Sequence, residues 1–564
     1  MNKQELNFDG FDIYGHKLNV CFKGDGVLSS SFMIKRSRRF SWSFVFLAFF
    51  VFSVAVALCK EVLSLTVTSC FIWTVVLLML VCIKLFYIIV DKESVLIVKD
   101  LGVQFTRSGR FGKETKQFIE QERIVDVIIN EVITMHQVVF YLMLLITDDT
   151  EDNTKEKQKL FPLFTSSMPC LETIKPIYRG HIVDMAEEYG GLIFGVEHRF
   201  YGLSTFESCL DNYNLTFLSS SQALADLAAF VVFARDSYGM TDKNKWIAYG
   251  GSYPGSLAAW FKLKYPNLVS GAVASSAPVE AKTDFKEYNN VVASSFTSAL
   301  VGGSEKCRDN IKNAFDEVDQ LIAEKEFTTL ERDFLSCKNL SSTNDTWLFS
   351  LNLANIFDSI VQYNEEGGGF SIASVCRYMT PAHLTPYENL VQFVQTFFPS
   401  TGLPCMNNNY ASFLSSLKKT KRDPTGQSWD RQWTYQTCSE FGYYQTCDKN
   451  TSCLFSNRSA DLSHFLGICS DIFGIPPKQV FENVAFTNYN YGGDKPKGSK
   501  TVFVNGSIDP WHALSVLSNQ TSSQVAIFIP GTAHCANMNS DSPDDPPALR
   551  QARQEVSRLV GMWL

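Results

Sequence analysis

The sequence predicts an α/β protein with a parallel sheet over its C-terminal two-thirds, preceded by a membrane hairpin and a small β-rich module. Three observations carry this expectation. Short apolar strands at 245–249, 501–504 and 525–529 each run straight into a turn holding a Ser, an Asp or a His. Residues at the C-terminal ends of parallel strands are where such sheets place their chemistry. Two long uncharged runs lie near the N-terminus, and between them and the strands lies a stretch of alternating apolar segments and turns.

At 564 residues the chain is long enough for several domains. It is 45% hydrophobic and 13% aromatic, so it can fill large cores. A net charge of −8 gives no reason to expect a nucleic-acid partner. Ten of the fifteen cysteines follow residue 180, an even number compatible with disulfides. All seven N-x-[ST] acceptors, at Asn214, Asn339, Asn344, Asn450, Asn457, Asn505 and Asn519, lie there too. Together they favour a secretory-pathway ancestry for that part.

Residues 1–40 read as a cytosolic segment, mixed polar and apolar, without the compact apolar core of a cleavable signal peptide. The run 41–59 has 19 residues without a charge, and 62–83 has 22. Each can span the ~30 Å of bilayer hydrocarbon. Only Lys60 and Glu61 separate them, so 41–90 reads as a transmembrane helical hairpin. Lys35, Arg36, Arg38 and Arg39 precede it and Lys84 and Lys92 follow, which places both ends in the cytosol.

Residues 91–179 read as a β-rich module. Segments 94–98 and 102–106 form a hairpin around Lys99-Asp100-Leu101, and 124–129 and 138–146 are two further strands. Residues 148–159 read as a solvated loop. Leu171, Ile174 and Ile177 mark a weak amphipathic helix over 168–179. The stretches DKESVLIVKDLGVQF, TKQFIEQERIVDVIINEVI and VVFYLMLLI resemble the H subunit of phosphatidylinositol N-acetylglucosaminyltransferase. The resemblance covers about residues 30–179. It implies a non-catalytic accessory subunit in glycosylphosphatidylinositol-anchor synthesis at the endoplasmic reticulum membrane, with the other subunits of that complex as partners.

The chemistry lies further on. After strand 245–249 come Gly250-Gly251-Ser252-Tyr253-Pro254-Gly255 and the helical run 256–265. Strand, glycine-rich turn with a central serine, then helix is the layout of a nucleophile elbow, although Pro254 occupies the place of the usual second glycine. Asn505-Gly506-Ser507-Ile508-Asp509 and Pro530-Gly531-Thr532-Ala533-His534 follow the other two strands. Ser, Asp and His thus occur in α/β-hydrolase order. His383, His464 and His512 are the rival histidines downstream; His512 is too close in sequence to Asp509 to arrive on a separate loop. In this reading Ser252 attacks a carbonyl, His534 shuttles the proton, and Asp509 orients the imidazole. The Tyr253 N–H supplies one oxyanion donor. The chemistry needs no cofactor and no metal.

GGSYPGSLAAWFKLKYP, SSAPVEAKTDFKEYN, RQWTYQTCSEFGYYQTC, FVNGSIDPWHAL and GTAHCANM resemble the serine exopeptidases related to lysosomal prolyl carboxypeptidase. The resemblance spans about 180–564. It implies an α/β-hydrolase core over 180–283 and 481–564, a helical cap inserted over 284–480, and cleavage of peptides at or near proline in lysosomes or vesicles. Trp429, Trp433 and Tyr435 in the cap's aromatic motif are candidates to line the substrate pocket. Segment 192–196, before EHRFYG, matches the fourth core strand. The first three are therefore missing, together with the second oxyanion donor, and the hydrolase is expected to be N-terminally truncated. Two functions compete: a serine-type exopeptidase, of carboxypeptidase or dipeptidyl-peptidase class, joined to the accessory subunit; or a membrane subunit carrying an inert hydrolase remnant.

Overall fold

The computed structural model describes residues 4–11, 17–24, 29–36, 90–98, 101–109, 114–120, 123–133, 138–148, 157–163 and 180–564. Within the last range 203, 206–208, 366–369, 401–403, 424–427, 449 and 456–460 are not described. The chain divides into two compact units, Met1–Tyr178 and Arg179–Leu564.

The first unit is all-β where described. Strands β1 (Gln4–Phe11), β2 (Lys17–Gly24), β3 (Ser29–Arg36), β4 (Val90–Val98), β5 (Gly102–Gly109) and β6 (Glu114–Glu120) form an antiparallel meander. Period-2 alternation turns one face inward: Val20 lies opposite Ile34, and Phe32 opposite Val95, which lies opposite Phe105. All five are buried. Glu93 sits on that face, fully buried, and is held by Arg107 on the next strand at 3.3 Å. Strands β7 (Ile124–Ile133), β8 (Val138–Asp148) and β9 (Lys157–Pro162) form a second antiparallel sheet.

Two corrections concern this unit. Residues 1–40 contain three strands that join the module's own sheet, although their mixed composition carries no strong strand signal. The polar stretch 148–159 gives way to β9, whose charged residues are tolerated because β9 is an edge strand. Among the described residues no helix is long and apolar enough to cross a membrane. The expected hairpin at 41–90 lies outside the described residues up to 89, as does the helix expected over 168–179.

The second unit is built on four parallel strands in the order β10 (Ile247–Gly251), β11 (Gly271–Ser275), β14 (Thr501–Gly506) and β15 (Gln524–Ile529). The central strands β11 and β14 are buried at every position. The helix Pro547–Trp563 lays Val556, Leu559, Val560 and Trp563 over one face, against Val273, Val502 and Val504. The helix Tyr253–Lys264 covers the other. Between β11 and β14 the chain leaves the sheet and builds a helical body. It includes Glu305–Glu324, Thr343–Gln362, Pro386–Ser400 and Pro477–Tyr491. Disulfides Cys307–Cys376, Cys337–Cys405, Cys438–Cys469 and Cys447–Cys453 staple this body. Eight of the ten C-terminal cysteines are thus paired, and Cys209 and Cys535 are free thiols. Strands β12 (Lys282–Asp284) and β13 (Gly442–Tyr444) tie its ends together.

The fourth core strand expected at 192–196 is not formed. These residues are irregular, with Leu192, Ile193 and Val196 exposed. A strand exists only when a neighbour completes its ladder. Strand β10 is one edge of the sheet, and among the described residues no strand pairs with its free side or with 192–196. The segment is held by side chains instead. Phe194 stacks on Trp246 and meets Phe230 and Tyr238 edge-on. Arg199 forks onto Asp226 at 2.5 and 2.6 Å.

Amide hydrogen exchange tests this division. Val273 and Phe503, in central strands, should be among the slowest amides, while 192–196 should exchange as a loop. Protection of 192–196 equal to that of β11 would show that the segment is paired after all.

Candidate active site

Ser252 stands at the junction of β10 and the helix Tyr253–Lys264, with φ 60° and ψ −135°. A non-glycine residue at positive φ stores ~1–3 kcal/mol and persists only where its surroundings hold it. The surroundings are tight. A Cβ at Gly250 would lie 2.2 Å from Pro254 O, and one at Gly251 would lie 2.2 Å from Met538 Sδ. The Ser252 N–H donates to Ser275 O on β11 at 2.9 Å. Pro254 is accommodated because it falls in the helix's first turn, where no N–H is needed. The close approach of helix to sheet moves one residue on: a Cβ at Gly255 would lie 2.8 Å from Ser275 O. Tyr253 is the first helical residue, so its N–H has no intrahelical acceptor.

Asp509 follows β14 and is fully buried. Its Oδ1 accepts from His534 Nδ1 at 2.8 Å and from the Trp511 N–H at 3.0 Å. Burial opposes charging His534, but the charge of Asp509 and their hydrogen bond outweigh it, with Cys535 adding. The imidazole is held well above its ordinary range. The loop bearing His534 is fixed from three sides. The His534 N–H donates to Gln362 O at 3.0 Å, and the Cys535 N–H to Ser276 Oγ at 2.8 Å. Arg553, itself 2% exposed, reaches Ala536 O, Asn537 O, Asp541 and Asp545. The Cys535 side chain packs on Gly251, 2.8 Å from where a Cβ would stand, so the His534 loop lies against the serine turn. No hydrogen bond joins Ser252 to His534 among the described residues; such bonds often tighten only when substrate is bound.

The rival His512 turns Nδ1 toward Gly506 O and packs its ring on Phe528. His464 stacks on Trp347 in the helical body.

The aromatic candidates separate. Trp433 packs on Tyr253, Phe441 and Tyr443 beside the serine turn. Tyr435 packs on Phe473 and lines a different cavity, of about 330 Å³, with Glu440 and Tyr491. Trp429 is 54% exposed. Further residues crowd the site. Gln362 Oε1 accepts from Trp511 Nε1 and Tyr288 O–H. Tyr363 meets the His534 ring edge-on. Behind the serine turn, His198 Nδ1 donates to Arg199 O, so Nε2 accepts from the Tyr253 hydroxyl at 3.0 Å. Gln436 Nε2 donates to the same hydroxyl, and Tyr201 O–H to Gln436 Oε1. Among the described residues no group of three or more His, Cys, Asp or Glu is arranged to hold a metal ion.

A parallel sheet with a strained serine turn on one strand end and an Asp–His pair on two others defines a serine hydrolase of α/β type. The family model of serine carboxypeptidase S28 matches residues 169–556, and the chain belongs to that family of serine-type peptidases. Thymus-specific serine protease from Mus musculus is 38% identical over 396 residues, 69% of this chain and 77% of that protein. Putative serine protease K12H4.7 from Caenorhabditis elegans is 35% identical, covering 68% and 77%. Lysosomal Pro-X carboxypeptidase from Bos taurus is 26% identical, covering 68% and 77%. A second family model, the PIG-H component of the GPI-GlcNAc transferase complex, matches residues 94–165. A solved feruloyl esterase B from Aspergillus oryzae overlaps 56% of this chain and 58% of its own, at 14% identity and TM-score 0.17, too weakly to bear on the fold.

The raised His534 has a kinetic consequence. A general base works unprotonated, so Ser252 labelling by a fluorophosphonate should rise with pH, with a midpoint above the ordinary histidine value of 6.5. Asp509→Asn should lower that midpoint and slow labelling by ~10⁴. A midpoint at or below 6.5 in the unaltered chain would contradict the Asp509–His534 coupling.

Proposed function

We propose that the second unit is a proline-directed serine exopeptidase fold in which Ser252 is the nucleophile, His534 the general base and acid, and Asp509 its orienting carboxylate. The observation that carries this reading is the 2.8 Å His534–Asp509 hydrogen bond beside a serine turn held at positive φ. Ser252 Oγ adds to the scissile carbonyl while its proton passes to His534 Nε2. The oxyanion forms against the Tyr253 N–H, and the proton is then delivered to the leaving amine. Names of relatives such as lysosomal Pro-X carboxypeptidase support the choice of proline. Trp433 offers an aromatic wall beside the nucleophile.

In this reading the chain as it stands is a poor catalyst. The unformed strand at 192–196 and the open edge of β10 agree with a hydrolase core lacking its first strands and second oxyanion donor. One missing donor lowers rate by ~10²–10³. Hydrolysis of a short Xaa-Pro peptide, followed from mildly acidic to alkaline pH, should be weak or undetectable. Addition of a family-type segment before Gly180 should raise it by at least that factor, and Ser252→Ala should abolish the gain. Full activity from the unmodified chain, lost in Ser252→Ala, would overturn the truncation argument.

A second reading applies to the first unit, because the PIG-H model matches it. It is an accessory subunit of the GPI-GlcNAc transferase complex, anchored in the endoplasmic reticulum membrane by a transmembrane hairpin. Pairing of β3 with β4 supports the hairpin. Lys35 and Lys92 are partners in that ladder, so the chain enters and leaves segment 37–89 at the same end of one sheet. In this reading the sheet lies on one side of the bilayer, and a hairpin is the kind of crossing that leaves and returns to the same side. Residues 1–179 should co-purify with the catalytic subunit of the transferase and rescue cells lacking their own H subunit. Failure of both would remove this reading. Glycosidase treatment reports the side: a mobility shift from sugar on Asn214 or Asn339 would put the second unit in the lumen, against the charge pattern.

A further inference from the structure

The helix Thr343–Gln362 ends at the candidate active site, and its last residue reaches the catalytic pair by two routes. Along the first, the Gln362 carbonyl accepts from the His534 N–H at 3.0 Å. Along the second, Gln362 Oε1 accepts from Trp511 Nε1 at 2.9 Å, and the Trp511 N–H donates to Asp509 Oδ1 at 3.0 Å. The same Oδ1 accepts from His534 Nδ1 at 2.8 Å. The four residues close a ring of hydrogen bonds: Gln362 to Trp511, Trp511 to Asp509, Asp509 to His534, and His534 back to Gln362.

The weight of this ring follows from what Asp509 lacks. The carboxylate is fully buried, and its Oδ2 has no hydrogen-bond partner among the described residues. The Trp511 N–H is therefore the one donor there, besides His534 itself, that fixes how the carboxylate is turned. A shift of Trp511 carries Asp509 Oδ1 with it. The rings of Phe285, Tyr288 and Tyr443 pack around the Trp511 indole. Ring packing confines the indole plane, whereas a hydrogen bond also sets its position within that plane. That bond is the one to Gln362 Oε1.

An amide suits the position. An indole N–H can only donate, so the Gln362 side chain must turn its oxygen inward. That oxygen has a second lone pair, and the Tyr288 hydroxyl donates to it at 2.8 Å. Two donors on one oxygen lock the amide. Being neutral, it adds no charge beside a carboxylate whose own charge supports the imidazole.

We propose that Gln362 is a positioning residue of the peptidase, which sets the orientation of the Asp509 carboxylate through Trp511 and the place of the His534 loop through its carbonyl. The inference rests on the peptidase reading and deepens it, since it makes proton transfer at the sheet depend on the helical body. Gln362 touches no reacting atom. It keeps Asp509 Oδ1 and His534 Nδ1 aligned while the imidazole takes up and returns the Ser252 proton.

The test is fluorophosphonate labelling of Ser252 in the full chain, followed against pH. Gln362→Met keeps the side chain's length and removes the acceptor. Trp511→Phe removes the donor from the other end of the same bond and leaves the backbone N–H in place. Each should slow labelling by ~10- to 100-fold, the scale of a misplacement near 1 Å. Each should also move the labelling midpoint down towards the ordinary histidine value of 6.5, because a misaligned carboxylate supports the imidazolium less well. The double variant should be no slower than the slower single one, since both substitutions remove one bond. Thermal unfolding checks each variant, and where one end of the bond cannot be altered without unfolding, the other end carries the test. An unchanged rate and midpoint in a folded single variant, or slowing that multiplies in the double variant, would overturn the proposal. Labelling that Gln362→Met leaves unchanged sinks Gln362 alone, whereas no labelling of the unaltered chain sinks the peptidase reading itself.

Discussion

Everything at the candidate site depends on the backbone strain at Ser252. A serine at φ 60° between a strand and a helix is tenable only if the strand, the helix and the next strand leave it no other place. Gly250, Gly251 and Gly255 allow that closeness, and the Ser252 N–H bond to Ser275 fixes the turn to β11. The same closeness brings Cys535 and Met538 against Gly251, so the His534 loop is located by packing on the turn. Arg553 and Gln362 then hold that loop from the C-terminal helix and from the helical body. The site is therefore held at once from β11, β14, β15 and the helical body.

Asp509 follows β14 and His534 follows β15, strands that pair with each other over six residues. Ser252 follows β10, which pairs with β11 over all five of its residues. Strands β10 and β15 are the two edges of the four-stranded sheet. The polar cluster of His198, Tyr201, Tyr253 and Gln436 ties the residue after Ser252 to EHRFYG and to the helical body. Side-chain contacts of this kind locate a segment without supplying a backbone oxyanion donor.

How much of this was legible depended on range. The strand–turn–helix around Ser252 is a local pattern, and the observed elements fall within two or three residues of the expected ones. Pro254 looked like a defect because the sequence shows an altered motif but not the displaced contact of Gly255. The segment 192–196 read as a strand from its resemblance to the family's fourth core strand; tertiary context decided otherwise, since no strand among the described residues pairs with it. Gln362 carries no motif. It reaches the site only because the helical body folds back on the sheet, a long-range fact invisible in spacing. Strands β1–β3 were missed because their residues mix polar and apolar types without a flanking turn signature. Tyr435 parts from Trp433 by helical geometry, since positions two apart on the helix Asp430–Gln436 do not share a face, and Trp429 is the residue that precedes that helix.

The two units make opposing demands on their surroundings. Four disulfides in the second unit belong to an oxidising compartment. In the accessory-subunit reading, the basic run at 35–39 of the first unit belongs to the cytosolic face of a membrane. If both lie in the cytosol, the cysteines of the second unit face a reducing pool. The helical body would then rest on packing alone, and with it Gln362, the residue through which that body grips the His534 loop.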